Sequence, residues 1–179
     1  MLKIILIAIP VIIVVFVIIV ALQSSEFRVT RSVAIATTPD AVFPNVNELK
    51  KWAAWNPWEK IDPAMKLTYE GPASGVGASY SWVGNSKVGE GRMTITESRP
   101  YELIRFKLEF LKPFAATNTA EFTLKQEVHQ TVVTWSMSGR KNFFSKAIGL
   151  VMSMDRMIGG QFEKGLADLK SVAEAAARK

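Results

Sequence analysis

The sequence predicts an α+β domain, in which an antiparallel sheet is covered on one face by a single long C-terminal helix. Three observations predict it. From Phe27 to Met137 the chain falls into short segments of alternating apolar and polar residues, separated by Gly, Pro and Asn. From about Ser145 to Ala177 the apolar residues recur at helical spacing instead. Between the first strand and the rest lie only short helical stretches, so one helix has to cover the sheet's apolar face.

The first element stands apart. Ile4 to Leu22 reads IILIAIPVIIVVFVIIVAL, with no charge and one proline. As a helix it would span roughly 28 Å, close to the thickness of a hydrocarbon core. It is longer than a signal-peptide apolar region of about 7–15 residues, and VALQSSEF lacks a small-x-small cleavage site. The expectation is therefore an uncleaved single-pass anchor with the membrane as partner. Lys3 and the chain amine precede the span, whereas Arg28 and Arg31 follow it. This near-tie slightly favours an inner-membrane location with the domain outside the cytoplasm. Residues 1–26 form the expected anchor and short linker, and residues 27–179 the domain.

The strands follow in order. FRVTRSVAI puts Phe27, Val29, Val33 and Ile35 on one face, with Arg31 interrupting it. Thr37-Thr38-Pro39-Asp40 reads as a helix start, and a short helix through Ala41, Val42, Phe43 and Val46 contains Pro44. Trp52, Trp55 and Trp58 come next, and Asn56-Pro57 ends any helix among them. LTYEG, GASYSWVG and the segment Lys87 to Glu97 are strands, the last two joined by a turn at Asn85-Ser86. YELIRFKLEF alternates Ile104, Phe106, Leu108 and Phe110 with Arg105, Lys107 and Glu109, a half-buried antiparallel strand. AATNTAEFTLKQE and TVVTWSM alternate likewise around a turn at Val128-His129-Gln130. In the last helix Ile148, Val151, Met154, Ile158, Phe162, Leu166, Leu169, Val172 and Ala176 share a spacing. Gly159-Gly160 lies in its middle, marking a close approach or a bend.

Composition removes several chemistries. Of 179 residues, 49% are hydrophobic and 21% charged, enough for a packed core. The absence of cysteine excludes disulfides and thiolate chemistry, and a single histidine, His129 in a turn, removes most metal-binding and Ser-His schemes. The net charge of +6 is spread in pairs, without the aromatic interleaving of a nucleic-acid platform. GPASGVG lacks the Lys-Ser/Thr ending of a phosphate loop and precedes a strand. Asp155 and Glu163 are about 12 Å apart along a helix, too far to share a proton. No cofactor, metal or nucleic-acid partner is expected.

The segments SVAIATTPDAVFPNV, WAAWNPW, GASYSWVG, GEGRMTITESRP, TVVTWSMSG and MDRMIGGQFEKGLADLK together carry a resemblance. The chain from Phe27 to Lys179 resembles the START/Bet v 1-like (SRPBCC, helix-grip) superfamily, in particular bacterial polyketide cyclase/dehydrase-like proteins. The resemblance implies a curved sheet of about six or seven strands gripping the C-terminal helix, with an apolar cavity between them.

On that fold the residues expected to bind a ligand are Tyr80, Trp82, Met93, Ile95, Phe106, Leu108, Asn118, Phe122, Trp135 and Met137 from the sheet, with Ile158 and Phe162 from the helix. Ile104 shares the face, and small residues at Gly91, Ala116 and Ala120 leave room among the bulky ones. The same alternation also serves a filled core. Asn118 is the polar exception: it orients a ligand, or it bonds to a bulge, a water or the helix. The three tryptophans are expected to seal the seam between the short helices and the sheet, with a pocket lip and a membrane contact as alternatives. The leading functional expectation is a membrane-anchored domain holding a lipid or other hydrophobic small molecule. One alternative is a cyclase or dehydratase drawing on Tyr80, Asn118 or Arg105, with no catalytic residue assigned. The other is a protein-interaction module like the chaperone activators, its cavity collapsed.

Overall fold

The structure is a computed structural model that describes residues 2–150 and 153–178, with side chains from residue 9 onward. Helix α1 (Leu2–Leu22) leads into β1 (Glu26–Ile35), α2 (Pro39–Asn47), a 3-10 turn (Leu49–Ala54) and α3 (Pro57–Ile61). Six strands follow: β2 (Lys66–Glu70), β3 (Ser79–Val83), β4 (Glu90–Arg99), β5 (Leu103–Lys112), β6 (Ala116–Glu127) and β7 (Gln130–Arg140). Helices α4 (Phe143–Gly149) and α5 (Met154–Ala176) end the chain.

The seven strands form one antiparallel sheet in the order β1-β7-β6-β5-β4-β3-β2. Strands β2 to β7 pair with their neighbours in sequence, and β1 pairs with the last strand, β7, instead of with β2. The segment holding α2, the 3-10 turn and α3 therefore carries the chain from one sheet edge to the other. Pairing aligns the inward residues in rows. Ile104, Phe122, Trp135 and Arg31 form one, Phe106, Ala120, Met137 and Val29 the next, and Leu108, Asn118, Gly139 and Phe27 the last.

Helix α5 lies over this face with Phe162, Leu166, Leu169 and Ala173 buried. It runs in the same direction as β1. Arg31 bonds Asp155 and Glu163, Lys170 Nζ donates to the Ala34 carbonyl (2.6 Å), and the Ala36 N–H donates to Glu174 Oε1 (2.8 Å). Arg31 interrupts the apolar face of β1 for this reason. Its guanidinium lies across Gly159, where a Cβ would overlap it. Gly159 is thus a close approach, whereas a Cβ at Gly160 would meet nothing.

The expected single helix from Ser145 is two helices. Asn142 Oδ1 accepts the Ser145 N–H and Ser153 Oγ accepts the Arg156 N–H, so two separate caps start α4 and α5. Val151, expected inside the helix, lies outside the described residues, as do the chain ends Met1 and Lys179.

The expected membrane anchor is corrected. Among the described residues no helix is long and apolar enough to cross a membrane. Ile4 to Ala8, the first part of the expected span, lie outside the described side chains. The single-pass inner-membrane location and the membrane partner assigned through Ile4 to Leu22 fall with that finding. Within the domain, α1 is held by Val20, which is buried, and by Lys146 Nζ donating to the Ala21 carbonyl (3.3 Å).

Candidate functional site

The inner face of the sheet divides into a packed centre and an open end. Trp52 and Trp55 make the centre. The 3-10 turn swings both rings onto the sheet, and each indole N–H is satisfied by a backbone carbonyl: Trp52 Nε1 donates to Val46 and Trp55 Nε1 to Asn45, both at 2.9 Å. Trp52 then meets Phe106, Phe122 and Trp135 edge-on at 5.5, 5.9 and 6.2 Å between centroids. Trp135 stacks between Phe122 (4.7 Å, 27°) and Phe162 of α5 (4.0 Å, 7°). Trp58 closes the same stack at 5.7 Å from Trp135. All three tryptophans pack between the short helices and the sheet.

Eight of the expected ligand residues lie in or beside this packed region: Tyr80, Trp82, Met93, Ile95, Phe106, Phe122, Trp135 and Phe162, every one buried. Trp82 lies over Gly91, where a Cβ would overlap the indole, so that glycine admits a ring rather than a ligand. Gly165 does the same for the helix: a Cβ there would lie 2.9 Å from Trp135 and 3.0 Å from Pro57. Met137 is buried in the next row.

The open end is the row Leu108, Asn118, Gly139 and Phe27. Leu108, Phe27, Phe110, Met154 and Ile158 are only half-buried and pack against the edge of the core. At the same end of the sheet the rings of Phe114 and Phe144 meet at 4.7 Å, tilted by 48°, and are exposed, as are Phe143, Leu150 and Met157. A depression of about 350 Å³ opens here. Its lining joins the outer-face residues Lys107, Thr117, Thr119 and Ser138, and the charged pair Glu26 and Arg140, to Phe27, Asn118 and Gly139 of the inner row. Of the twelve expected residues, Leu108, Asn118 and Ile158 belong to this end. Phe27, Phe110, Gly139 and Met154 join them. Phe27 and Phe110 were legible as inward positions; Gly139 carries no side chain and left no signal.

Asn118 is 6% exposed, and its Oδ1 has no hydrogen-bond partner. The amide occupies the space above Gly139, where a Cβ would overlap it, with the Phe27 ring alongside. A bulge bond or a bond to α5 is therefore not what holds it. Among the described residues, Trp135 Nε1 is the other buried side-chain polar atom without a partner.

The expected proton-moving residues sit elsewhere. Arg105 lies on the outer face, bound to Glu97 and Glu121. Tyr80 is buried, and burial first, then the charge of Glu59, pushes its phenol well above the usual range against a hydrogen bond from Asn56. Glu59 is itself pushed up by partial burial, offset by Asn56. Arg31 is raised further by hydrogen bonds to Asp155 and Glu163. No group of three His, Asp or Glu among the described residues could hold a metal ion.

The profile of a family described as polyketide cyclase/dehydrase and lipid transport matches residues 26–174. No curated protein matches the sequence. Among solved structures, the Aha1 dimer from Colwellia psychrerythraea aligns at 16% identity and TM-score 0.58, over 83% of this chain and 96% of that one. StfQ, a di-domain ARO/CYC of the steffimycin biosynthetic pathway, aligns at 12% identity and TM-score 0.61, over 86% of this chain and 53% of that one. Ara h 8.0201 aligns at 8% and 0.54, over 84% and 97%. At these identities the likeness is one of fold.

Proposed function

Since the chain belongs to the polyketide cyclase/dehydrase and lipid transport family, we propose that it binds a hydrophobic small molecule at the open end of the sheet–helix groove, not at its centre. The observation that carries this reading is the uneven cover of one continuous apolar face. The rows through Phe106 and Phe122 are closed by tryptophans, while the row through Leu108 and Asn118 is left half-buried. A packed centre keeps the sheet and helix rigid. An apolar molecule entering the open row would gain about 25 cal/mol for each Å² removed from water, with one buried amide to set its orientation.

An enzymatic reading has less support. A cyclase or dehydratase moves protons, and the open row offers only an amide, because Arg105 is on the outer face and Tyr80 is buried under Trp52. A module with a fully collapsed cavity accounts for the centre but not for the open row.

The test is native mass spectrometry of the full chain followed by organic extraction, with a titration of the neutral dye Nile red. One hydrophobic molecule or one dye per chain is expected, and Leu108→Asp should remove it. A chain that carries nothing and leaves the dye unbound would sink the reading.

A further inference from the structure

The open end of the groove is also a positively charged end. From Gly139 to Leu150 the chain carries Arg140, Lys141 and Lys146 and no acid. Most acids nearby are occupied: Glu109 pairs with Lys107 at 2.6 Å, Glu90 with Lys112 at 2.8 Å and Asp155 with Arg31 at 2.8 Å. Glu26 is left, exposed and opposite Arg140 in the β1–β7 register.

Arg140 stands where this charge meets the apolar row. It is the last residue of β7, next to Gly139, and the pairing of β6 with β7 stops at Asn118–Gly139 just short of it. It lines the depression of about 350 Å³ together with Phe27 and Gly139, and with Thr117, Thr119 and Ser138. The other arginines of the sheet are engaged: Arg31, Arg92, Arg99 and Arg105 each pair with an acid, and Arg28 donates to Ser136 Oγ. Among the described residues Arg140 makes no ion pair, with Glu26 or any other acid, and its guanidinium has no hydrogen-bond partner. The side chains of Thr117, Thr119 and Ser138 make no hydrogen bond there either. A guanidinium fork beside three hydroxyls matches the oxygens of a carboxylate or a phosphate.

Resting on the hydrophobic-ligand reading above, we infer that the ligand is an amphiphile with an anionic end, a carboxylate or phosphate, held by Arg140. The anionic end sits in the depression at the end of β7, and the apolar chain lies along Phe27, Leu108, Phe110 and Ile158. Glu26 opposes the binding, because its charge faces the same anion.

Displacement of Nile red from the full chain by four probes that share a decyl-length chain tests this. Decanoate and decyl phosphate are anionic at about pH 8, 1-decanol is neutral and decyltrimethylammonium is cationic. The stronger of the two anions names the head group, and it should displace the dye at a concentration about tenfold below that of decanol. The cation should be weakest. Salt at about 1 M should shrink the gap, since screening then acts within about 3 Å. Arg140→Gln should bring anion and alcohol within about threefold, whereas Glu26→Gln should widen the gap. Lys125→Gln, which removes the same unit charge at the far end of β6, should leave it as it is. Circular dichroism and retained dye binding confirm that each variant folds.

A decanol probe that matches both anions in the native chain overturns the inference alone. So does a gap that persists in Arg140→Gln, or one that Lys125→Gln closes equally. A chain that leaves the dye unbound, or a dye that none of the probes displaces, overturns the hydrophobic-ligand reading and the inference with it.

Discussion

Asn118 and Gly139 face each other across β6 and β7, and the amide of one fills the space that a side chain on the other would take. The pair makes a polar notch in an otherwise apolar row without a cavity having to be carved around it. Function and stability pull in opposite directions at this notch. Asn118→Leu keeps the number and branching of side-chain heavy atoms and removes an unpartnered acceptor, whose burial costs about 1–3 kcal/mol. The ligand-free variant should unfold at higher urea with an unchanged slope. A lower midpoint would mean that Oδ1 is satisfied in the native protein.

Gly139→Ala should act the other way. The new Cβ overlaps Asn118 Oδ1 and crowds the Phe27 ring, and overpacking of this kind costs about 1–3 kcal/mol. The double variant Gly139→Ala with Asn118→Ala should recover most of that loss, because the clash has one main partner. Additive losses in a urea series would place the strain elsewhere.

The two adjacent helix glycines should separate cleanly. Gly160 is exposed with open space around it, so Gly160→Ala should stabilise α5 by up to about 1 kcal/mol through helix propensity. Gly159→Ala gains the same propensity but forces Arg31 off Asp155 and Glu163. Its melting temperature should fall below that of Gly160→Ala. Equal rises for both would show that the Arg31 clamp contributes nothing.

Trp55→Ala should be the most damaging of the single changes considered. The side chain is fully buried and touches Trp52, Phe122 and Trp135. Truncation of a core aromatic costs about 3–5 kcal/mol, a large share of a domain's stability. Loss of the cooperative urea transition near neutral pH is the expected result; a shift of less than about 1 kcal/mol would contradict the packing described.

Acid should loosen the seam between β1 and α5. Hydrogen bonding by Arg31 holds the Asp155 carboxyl below the usual carboxylate range, and the Ala36 N–H, then Lys170, does so for Glu174. A depressed carboxylate adds stability that is complete above its unfolded value, about 4, and is lost as pH falls through the folded one. Glu59, raised by burial, has the opposite sign: its contribution diminishes as pH rises from about 4.3 towards its folded value. Urea midpoints should therefore drop steeply only below about pH 4, and Asp155→Asn with Glu174→Gln should flatten that limb. An unaltered limb in the double variant would assign the acid loss to other groups.

Alternation along a strand and spacing along a helix are local properties, so the strands, the covering helix, the inward set from Tyr80 to Met137 and the turns at Asn85 and Val128 could be read residue by residue. The oddity of Asn118 was legible for the same reason, because an amide on an apolar face stands out without any partner in view. The break between α4 and α5 was less so, since the caps at Asn142 and Ser153 compete with an apolar spacing that runs on through them.

Which part of the inward face is filled and which is open depends on contacts between distant segments. Trp52 and Trp55 reach the sheet because two backbone carbonyls of α2 receive their indole N–H groups, and nothing in their spacing says which strands they will meet. Gly139 matters because Asn118 lies opposite, and Gly159 because Arg31 is 128 residues away in the chain and directly across the seam. A glycine's purpose is the side chain that occupies its missing Cβ, and that neighbour is chosen by folding.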